Sequence, residues 1–530
     1  TSMGCKGSSF CRGMDARAQA SDLLETGSEA ERLALRYRRS KGVTYRYGTA
    51  GFRAEEKILD STLLRMGMFS ALLARLKPGL AIGVMVTASH NAEKDNGVKI
   101  AGNDGGMLGE SWEPIAAEIA NCQAENLMSL LVRLTQRFSI SLSATSIVLV
   151  GEDTRGSSPR LADLVERGAI ALGARVKRFR PCTTPQLHYM VRSQNVDNKK
   201  PELKMYNEDM STAFAKICEI LDEKSSQVLP TIRVDCANGV GANGIDSLAP
   251  LISKYLEIKA FNTDTKPNSG KLNHLCGAEY VQKQKKLPEG LPAGGEGLPH
   301  CALDGDADRI VFFVPEAKGS FRLQDGDKIA TLLAQVFGEL MEASGLASGL
   351  KLGVVQTAYA NGASTEYLVK TLGADRVLCA KTGVKHLHHK AAELDVGIYF
   401  EANGHGTVLF SAEALKSIET VEPPTGSEAE KAAKLLRAFV RVINQAIGDA
   451  LSDLLLVVAA LRLKGWSMEK WDGIYTDLPS RMLKAKVRDR TLVITTDAER
   501  KCIAPKGLQE KVDSLVAAAG GPAPAFVRPS

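Results

Sequence analysis

The sequence predicts a multidomain α/β protein whose sheets are mixed and mostly parallel. The chain has 530 residues, which corresponds to three or four domains of about 150 residues each. A predicted strand at 146–150, a helix at 159–172 and a strand at 175–179 give the strand–helix–strand order that is typical of a parallel sheet. The hydrophobic content of 44% and the charged content of 24% fit an ordinary globular protein.

The same alternation continues along the rest of the chain. Apolar periodicity predicts helices at 30–39, 63–76, 211–221 and 449–463, and strands at 82–86, 231–235 and 398–400. Polar or Gly- and Pro-rich segments at 193–209, 283–299 and 412–428 predict domain boundaries. We therefore expect four domains, at 20–195, 196–299, 300–440 and 441–530. The second is expected to be structural and the last to be a smaller α+β domain.

Composition and charge exclude several classes of protein. The net charge is only +6 and basic residues form short clusters, whereas nucleic-acid readers concentrate positive charge in a patch or arm. The longest apolar run, 454–461, is far shorter than the ~18 residues of a membrane span. The ten cysteines are scattered without CxxC pairs, which fits free thiols in a reducing compartment. We expect a soluble, cytoplasmic protein that binds neither nucleic acid nor membranes.

The stretch around Ser89 is the first candidate for chemistry. The apolar run 82–86 ends abruptly in small and polar residues, as when a buried strand delivers a reactive loop to the edge of a sheet. Ser89 lies at the tip, beside His90 and ahead of Lys99. A serine in this position can act as a nucleophile or phosphate carrier. The alternative is that Ser89 caps a short helix.

Three carboxylates lie within five residues at Asp304, Asp306 and Asp308. In an extended loop alternate side chains share a side, so we expect the three to converge. Converging carboxylates repel each other unless a cation lies among them, and an all-oxygen site of this kind suits Mg²⁺. The loop lacks the glycine and glutamate that an EF-hand needs. A solvated acidic turn is the alternative.

Three further loops carry candidate binding residues. The glycine-rich loop at 47–53 brings Arg53 close to an anion or forms a plain turn. The histidine-rich stretch 381–390 lacks zinc-ligand spacing, and its cations fit phosphate binding or a polar helix face. The stretch 398–406 ends a strand in Glu401, Asn403 and His405, which suits a polyhydroxylated ligand or a hairpin turn.

These loops, in this order, resemble the α-D-phosphohexomutase superfamily over residues 45–530. The resemblance rests on four motifs in register: Tyr47-Gly48-Thr49-Ala50-Gly51-Phe52-Arg53, Thr87-Ala88-Ser89-His90-Asn91, Asp304-Gly305-Asp306-Ala307-Asp308-Arg309 and Glu401-Ala402-Asn403-Gly404-His405-Gly406. The serine loop precedes the Asp153-Thr154-Arg155 strand, the reverse of most of the superfamily. This permuted order is similar to the phosphoacetylglucosamine mutase family, as are residues 356–362 and 381–390.

The resemblance implies three α/β domains and a smaller C-terminal domain around a central cleft. It implies an intramolecular phosphotransferase of the isomerase class that interconverts N-acetylglucosamine 6-phosphate and 1-phosphate, in UDP-N-acetylglucosamine biosynthesis. The reaction would run through a phosphorylated Ser89 and a 1,6-bisphosphate, with glucose or N-acetylglucosamine 1,6-bisphosphate as activator. The cofactor would be Mg²⁺, held by Ser89, Asp304, Asp306 and Asp308. The protein is expected to be a monomer or a weak dimer.

The resemblance also assigns roles to individual residues. Lys99, His90 and Arg53 are candidates for the base that deprotonates the attacking hydroxyl. The expected substrate contacts are Arg309, Lys385, His386, Glu401, Asn403, His405, Arg528 and Ser530, with the last two at the distal phosphate.

Two departures from the family pattern raise questions about the site. The family's phosphate loop continues with Gly-Thr-Glu after Arg-Pro-Ser, whereas this chain ends at Ser530, so we expect a truncated chain or an incomplete distal site. Ala92 replaces the usual proline, which is expected to loosen the serine loop. The competing functions are a phosphoglucomutase or phosphomannomutase, and a non-catalytic sugar-phosphate binding protein.

Overall fold

The computed structural model describes residues 22–25, 27–48, 50–221, 227–480, 485–489, 492–518 and 525–527. By their internal contacts these residues divide into two compact units. The first comprises Thr1–Thr212, Thr231–Ile310 and Ala446–Ser452, and the second comprises Ala213–Pro230, Val311–Gln445 and Asp453–Ser530. This division does not resolve the four predicted domains, whose boundaries stay a prediction.

The first unit begins with a five-stranded sheet in the order β1-β3-β2-β4-β5. Its strands are β1 Phe52–Glu55, β2 Ala81–Val86, β3 Asp95–Ala101, β4 Ile147–Glu152 and β5 Arg175–Phe179. Strands β2, β4 and β5 are parallel to one another, while β3 is antiparallel to both its neighbours. The accompanying helices are α1 Glu29–Arg36, α2 Asp60–Leu76, α3 Glu113–Asn121, α4 Leu127–Arg137, α5 Ser158–Ala171 and α6 Thr184–Asn195.

Both faces of this sheet are covered, which is why β2 reads as an unbroken apolar run. All of its residues are buried. Val84 and Val86 belong to the core that also contains α2 and α5, whereas Met85 packs in a separate core with Leu187 and Met190 of α6. A strand buried on both sides needs no alternation of polar residues. Helix α6 begins at a capping box, in which Thr183 and Gln186 each accept a backbone N–H of the other.

The first unit continues with three parallel strands in the order β8-β6-β7. The elements in chain order are α7 Leu203–Ile220, β6 Thr231–Asp235, α8 Gly241–Ile252, β7 Glu257–Phe261, α9 Ala278–Gln284 and β8 His300–Leu303. Helix α7 belongs to the first unit only up to Thr212, and its remainder is part of the second unit. The predicted boundary at 193–209 is not a linker throughout, because it starts in α6 and ends in α7. Its polar residues are those of two helices, and the helix predicted from 211 begins at Leu203.

The second unit contains an antiparallel pair, β9 Ile310–Pro315 with β10 Phe321–Gln324, and a four-stranded sheet in the order β12-β11-β13-β14. Its remaining elements are α10 Gly326–Ala343, β11 Leu352–Thr357, α11 Gly362–Leu372, β12 Val377–Ala380, α12 Val384–Ala391, β13 Val396–Phe400, β14 Gly406–Phe410, α13 Ala412–Thr420 and α14 Glu428–Val442. Only β14 runs antiparallel in the four-stranded sheet. The predicted break at 412–428 is therefore half helix, since α13 occupies its first nine residues.

The last described elements are α15 Ala450–Lys464, α16 Met468–Asp472, β15 Ile494–Thr496, β16 Lys501–Ala504 and α17 Leu508–Ala518. The apolar run 454–461 lies in α15 and is completely buried, which makes it a core helix as predicted. Within the described residues, no helix combines the length and apolarity that a membrane crossing requires.

Candidate active site

The Ser89 turn begins where β2 ends. The Ser89 backbone N–H donates to Oγ1 of Thr87, and Ser89 has a φ of 50°, a left-handed conformation that is costly for a residue with a side chain. The side chain is fully buried, and its Oγ donates to Oδ2 of Asp304 at 2.7 Å. The next element is β3, so Ser89 does not cap a helix.

Arg155 holds this turn in place from the end of the neighbouring parallel strand β4. The residue is 1% exposed, and its guanidinium donates to four backbone carbonyls of the turn, those of Ser89, Asn91, Ala92 and Asp95, at 2.7–2.9 Å. Asp153 orients it by accepting from Nε at 3.1 Å. Asn273 donates to two of the same carbonyls, those of Ser89 and Asn91. These contacts are the physical reason that the strained turn persists.

The acidic loop is a tight turn between the strands β8 and β9, so its aspartates do not converge by the alternation of an extended loop. The N–H of Ala307 donates to the carbonyl of Asp304, and Ala307 has a φ of 59°. The three carboxylates nevertheless converge, with one oxygen from each lying within 4.8 Å of the others, and all three are buried. Asp304 is fixed from within the loop, since its Oδ1 accepts the N–H groups of Asp308 and Arg309.

Burial and mutual repulsion dominate the electrostatics of the cluster. Burial, followed by the charges of Asp308 and Asp306, raises the pKa of Asp304 well above its usual range. Burial and the charge of Asp308 act against ionisation of Asp306, but the charge and hydrogen bond of Lys99, together with the hydrogen bond from Thr184, lower the pKa of that carboxyl. Nζ of Lys99 lies 2.8 Å from Oδ2 of Asp306 and 2.8 Å from Oδ2 of Asp308. Despite its burial, these two carboxylates raise the pKa of Lys99.

Arg309, Glu279 and His90 form a second cluster beside the carboxylates. Nη1 of Arg309 donates to Oε2 of Glu279 at 2.7 Å, and Nε2 of His90 lies 4.0 Å from Oε1 of the same carboxyl. Burial, reinforced by the charge of Arg309, lowers the pKa of His90 to about 3. Arg53, on β1, donates from Nη1 to Oδ1 of Asn91 at 3.2 Å. Of the three predicted base candidates, Lys99 is an ammonium that bridges two carboxylates, His90 is a neutral imidazole and Arg53 is a guanidinium.

In the second unit, the Glu401 loop joins β13 to β14 as an antiparallel hairpin. The predicted hairpin turn at 398–406 is therefore present, and the predicted sugar-binding residues lie on it. The carbonyl of Glu401 accepts from Gly404, and Oδ1 of Asn403 accepts from the N–H of His405. Oε1 of Glu401 accepts from the N–H of Gly383, immediately before α12.

The histidine-rich stretch 381–390 is largely the helix α12, and it carries both Lys385 and His386. Lys385 is buried, with 2% of its surface exposed, and His386 is half-buried. The N–H of Thr382, ahead of the helix, donates to Oε2 of Glu499. Arg528 and Ser530 lie outside the described residues.

Comparisons with known proteins identify the family. Models of phosphoacetylglucosamine mutase AMG1 match residues 202–311 as domain II and residues 325–466 as domain III. The α/β/α domain I of phosphoglucomutase/phosphomannomutase matches residues 50–127 and 122–199. The human phosphoacetylglucosamine mutase is 43% identical over 509 residues, which cover 96% of this chain and 92% of the relative. The chain belongs to the phosphoacetylglucosamine mutase family.

Solved structures of the family are similar over nearly the whole chain. The N-acetylphosphoglucosamine mutase of Aspergillus fumigatus, in complex with GlcNAc-6P and magnesium, is 40% identical with a TM-score of 0.86 and covers 93% of this chain and 92% of its own. A serine-to-alanine variant of that enzyme, in complex with glucose 1,6-bisphosphate, has a TM-score of 0.87 at the same identity and coverage. The predicted fold class and family are confirmed.

Within the phosphoacetylglucosamine mutase fold, the first unit brings together eight of the predicted site residues. They are Arg53, Ser89, His90, Lys99, Asp304, Asp306, Asp308 and Arg309. Lys385, His386, Glu401, Asn403 and His405 belong to the second unit. The catalytic and binding roles of all these residues stay predictions.

The sequence reasoning missed four residues that contact the phosphoacetylglucosamine mutase site, namely Arg155, Thr184, Asn273 and Glu279. Arg155 had a detectable signal, because an Asp-Thr-Arg triplet ends a strand predicted to neighbour the serine strand. Parallel neighbours end at the same edge of a sheet, so polar residues at both ends meet. Asn273 and Glu279 come from the segment predicted to be structural, and no local pattern marks them.

Proposed function

We propose that this chain interconverts N-acetylglucosamine 6-phosphate and N-acetylglucosamine 1-phosphate through a phosphorylated Ser89 and a 1,6-bisphosphate. The observation that carries the proposal is the buried Ser89 hydroxyl, which is hydrogen-bonded to one of three converging carboxylates. Family membership supports it, and so do the GlcNAc-6P and glucose 1,6-bisphosphate complexes of the Aspergillus fumigatus relative.

The residues of the acidic loop fit a magnesium ion. Oδ1 of Asp306 is buried and has no hydrogen-bond donor within the described part of the chain. Burial, followed by the charges of Asp308 and Asp306, raises the pKa of Asp304, and a cation among the three carboxylates would favour its ionised form. We infer that Ser89, Asp304, Asp306 and Asp308 hold Mg²⁺, a cation that prefers such oxygen ligands. When bound, it neutralises charge on the phosphoryl group in transfer.

Ser89 carries the phosphoryl group in both half-reactions. In the first, the P–Oγ bond breaks, a P–O1 bond forms with N-acetylglucosamine 6-phosphate, and the proton of the O1 hydroxyl passes to a base. In the second, the P–O6 bond of the 1,6-bisphosphate breaks and the phosphoryl group returns to Oγ, so the 1-phosphate is left and O6 takes back a proton. Lys99, His90 and Arg53 are the candidates for the proton carrier.

The remaining site residues bind and orient the substrate in this proposal. Arg309 contacts a phosphate, since its guanidinium borders the acidic loop and is oriented by Glu279. Glu401, Asn403 and His405 hold sugar hydroxyls, with Lys385 and His386 as further contacts and Arg528 and Ser530 at the distal phosphate. Because the two half-reactions present opposite ends of the sugar, this distal site must accept a phosphate at either end.

Turnover of N-acetylglucosamine 6-phosphate with Mg²⁺ and a trace of glucose 1,6-bisphosphate tests the function, with glucose 6-phosphate run in parallel. We expect the acetylated sugar to be preferred and Ser89→Ala to abolish turnover of both. Preference for glucose 6-phosphate would instead favour a phosphoglucomutase. Binding of the sugar phosphate without turnover, in protein shown by intact mass to be phosphorylated, would favour a binding protein.

We also propose that the protein works in the cytoplasm. All eight cysteines in the described residues are free, which suits a reducing compartment. Its state as a monomer or weak dimer stays a prediction, and sedimentation velocity would measure it.

A further inference from the structure

Each aspartate of the acidic loop has at least one oxygen that accepts hydrogen bonds from the protein. For Asp304 both oxygens do so, since Oδ1 accepts two backbone N–H groups of its own loop and Oδ2 accepts from Ser89. For Asp308 it is Oδ2, which accepts from Lys99. For Asp306 it is Oδ2, which accepts from Nζ of Lys99 at 2.8 Å and from Oγ1 of Thr184 at 2.6 Å. Oδ1 of Asp306 is left without a donor in the described part of the chain.

Thr184 differs from Lys99 in how rigidly it is held. It is the first residue of α6, directly after the N-cap residue Thr183, and 1% of its surface is exposed. Its backbone N–H donates to the carbonyl of Asp306 at 3.2 Å, so Thr184 binds the main chain and the side chain of the same residue. A β-branched side chain is stiff about χ1, whereas the lysine has a flexible stem and shares its ammonium with Asp308.

We propose that Thr184 is a positioning residue that fixes the Asp306 carboxylate with Oδ1 directed at the cation and thereby sets the affinity of the site for Mg²⁺. The inference rests on the proposed magnesium site and adds a residue that is not itself a ligand. Groups that hydrogen-bond to a metal ligand orient it, and their loss typically weakens metal binding by about 10- to 100-fold. Without the Thr184 hydroxyl, the only remaining hydrogen-bond donor to Oδ2 of Asp306 among the described residues is Lys99, which also binds Asp308. The Asp306 carboxylate can then rotate more easily about its Cβ–Cγ bond.

The test measures metal affinity rather than turnover. Mn²⁺ binding is followed by electron paramagnetic resonance and Mg²⁺ binding by calorimetry, on the full chain with Ser89 shown by intact mass to be unphosphorylated. Thr184→Val keeps the shape and removes the donor, and we expect it to weaken binding by about 10- to 100-fold. Thr184→Ser keeps the hydroxyl and should bind nearly as the wild type does. Thr371→Val, which loses a hydroxyl that donates to the Tyr367 carbonyl on an exposed helix face, is the matched control and should change nothing.

Three outcomes separate the explanations. If Thr184→Val binds Mn²⁺ and Mg²⁺ like the wild type, the inference is overturned while the metal site stands. If the wild type itself binds neither ion, the proposed metal site fails first. If Thr184→Val does not fold in EDTA by circular dichroism, Thr184→Ala is compared with Thr184→Ser, and equal affinities in that pair overturn the inference.

Discussion

Nη2 of Arg155 donates to the carbonyl oxygen of Ser89 at 2.8 Å, so a residue at the end of one strand fixes the reactive turn at the end of its neighbour. The same guanidinium donates from Nη1 to the carbonyl of Ala92 at 2.7 Å. The resemblance to the family implies a proline at that position, and the alanine in its place is expected to loosen the loop. Arg155 supplies a restraint there that does not depend on the proline ring.

Replacing Arg155 with methionine should destabilise the first unit. The change leaves Asp153 buried without its cation and takes one donor away from each of four carbonyls, of which those of Ser89 and Asn91 keep the Asn273 amide. Removing one partner of a buried ion pair costs about 3–5 kcal/mol, and we expect a loss of this size in the free energy of unfolding, measured in urea. Turnover should fall as well, because the Ser89 turn loses its support.

Arg160→Met is the matched control for that measurement. The Arg160 side chain is 44% exposed and pairs with Glu56 and Asp60 at the surface, where such pairs contribute less than about 1 kcal/mol. An equal loss of stability in the two variants would contradict the assignment of Arg155 as the support of the turn.

Magnesium should stabilise the folded protein through the acidic loop. A ligand that binds only the folded state adds about 2.7 kcal/mol at a concentration 100 times its Kd. We expect that gain for the wild type when Mg²⁺ replaces EDTA in urea unfolding, and little of it for Asp306→Asn, which removes the charge of one proposed ligand. Asp264→Asn, at the surface, is the control and should keep the full Mg²⁺-dependent rise in the free energy of unfolding. If Asp306→Asn shows the same rise as the wild type, Asp306 is not a ligand of the ion.

Acid should destabilise the fold partly through His188. Burial lowers the pKa of this histidine to about 4, although its Nδ1 lies 2.6 Å from the carbonyl of Gly105. The unfolded chain binds the proton near the ordinary histidine pKa of 6.5, whereas the folded chain does not bind it until the pH approaches 4. The stability that His188 contributes is therefore present above pH 6.5 and falls as the pH drops from there to about 4, by about 3 kcal/mol in total.

His188→Asn keeps a donor for Gly105 and removes the titration. Its free energy of unfolding should consequently fall less between pH 7 and pH 4.5 than that of the wild type. His274→Asn, at an exposed position, serves as the control and should follow the wild type. If His188→Asn has the same pH dependence as the wild type, His188 is not a source of the acid sensitivity.

Glu401→Gln should weaken recognition of the sugar. The carbonyl oxygen of glutamine can still accept from the N–H of Gly383. The NH₂ group of glutamine then replaces the carboxylate oxygen that accepts from the NH₂ group of Asn403, so two donors face each other. Asn403 keeps this orientation because its oxygen accepts from the N–H of His405. Loss of a hydrogen bond to a charged group costs about 1.5–3 kcal/mol, so kcat/KM for N-acetylglucosamine 6-phosphate should fall about 10- to 100-fold. Mn²⁺ affinity should be unchanged.

Glu393→Gln, an exposed carboxyl that pairs with Lys390, is the control for the sugar loop. It should leave kcat/KM as in the wild type. A normal kcat/KM in Glu401→Gln would exclude the Glu401 carboxylate as a sugar contact.

Much of the secondary structure could be read from local pattern. The strand predicted at 231–235 and the strand at 175–179 have those bounds in the structure, because each is a short segment with β-branched or aromatic residues between turn residues. The polar segment 193–209 misled the prediction, since exposed helix faces are as polar as linkers. Helix α7 owes its position there to packing, for example of the buried Tyr206, whose hydroxyl donates to Asp449.

By itself, the sequence determined the family and the chemical groups, because Ser89, the three aspartates and Glu401 lie in motifs whose spacing is local. Only the tertiary structure decided which groups support them. Thr184 lies 122 residues from Asp306 and Asn273 lies 184 residues from Ser89 along the chain, yet each donates to its partner within 3 Å. Hydrogen bonds between distant segments leave no periodicity in a single sequence, since they depend on how strands and helices pack, and packing is a property of the whole fold.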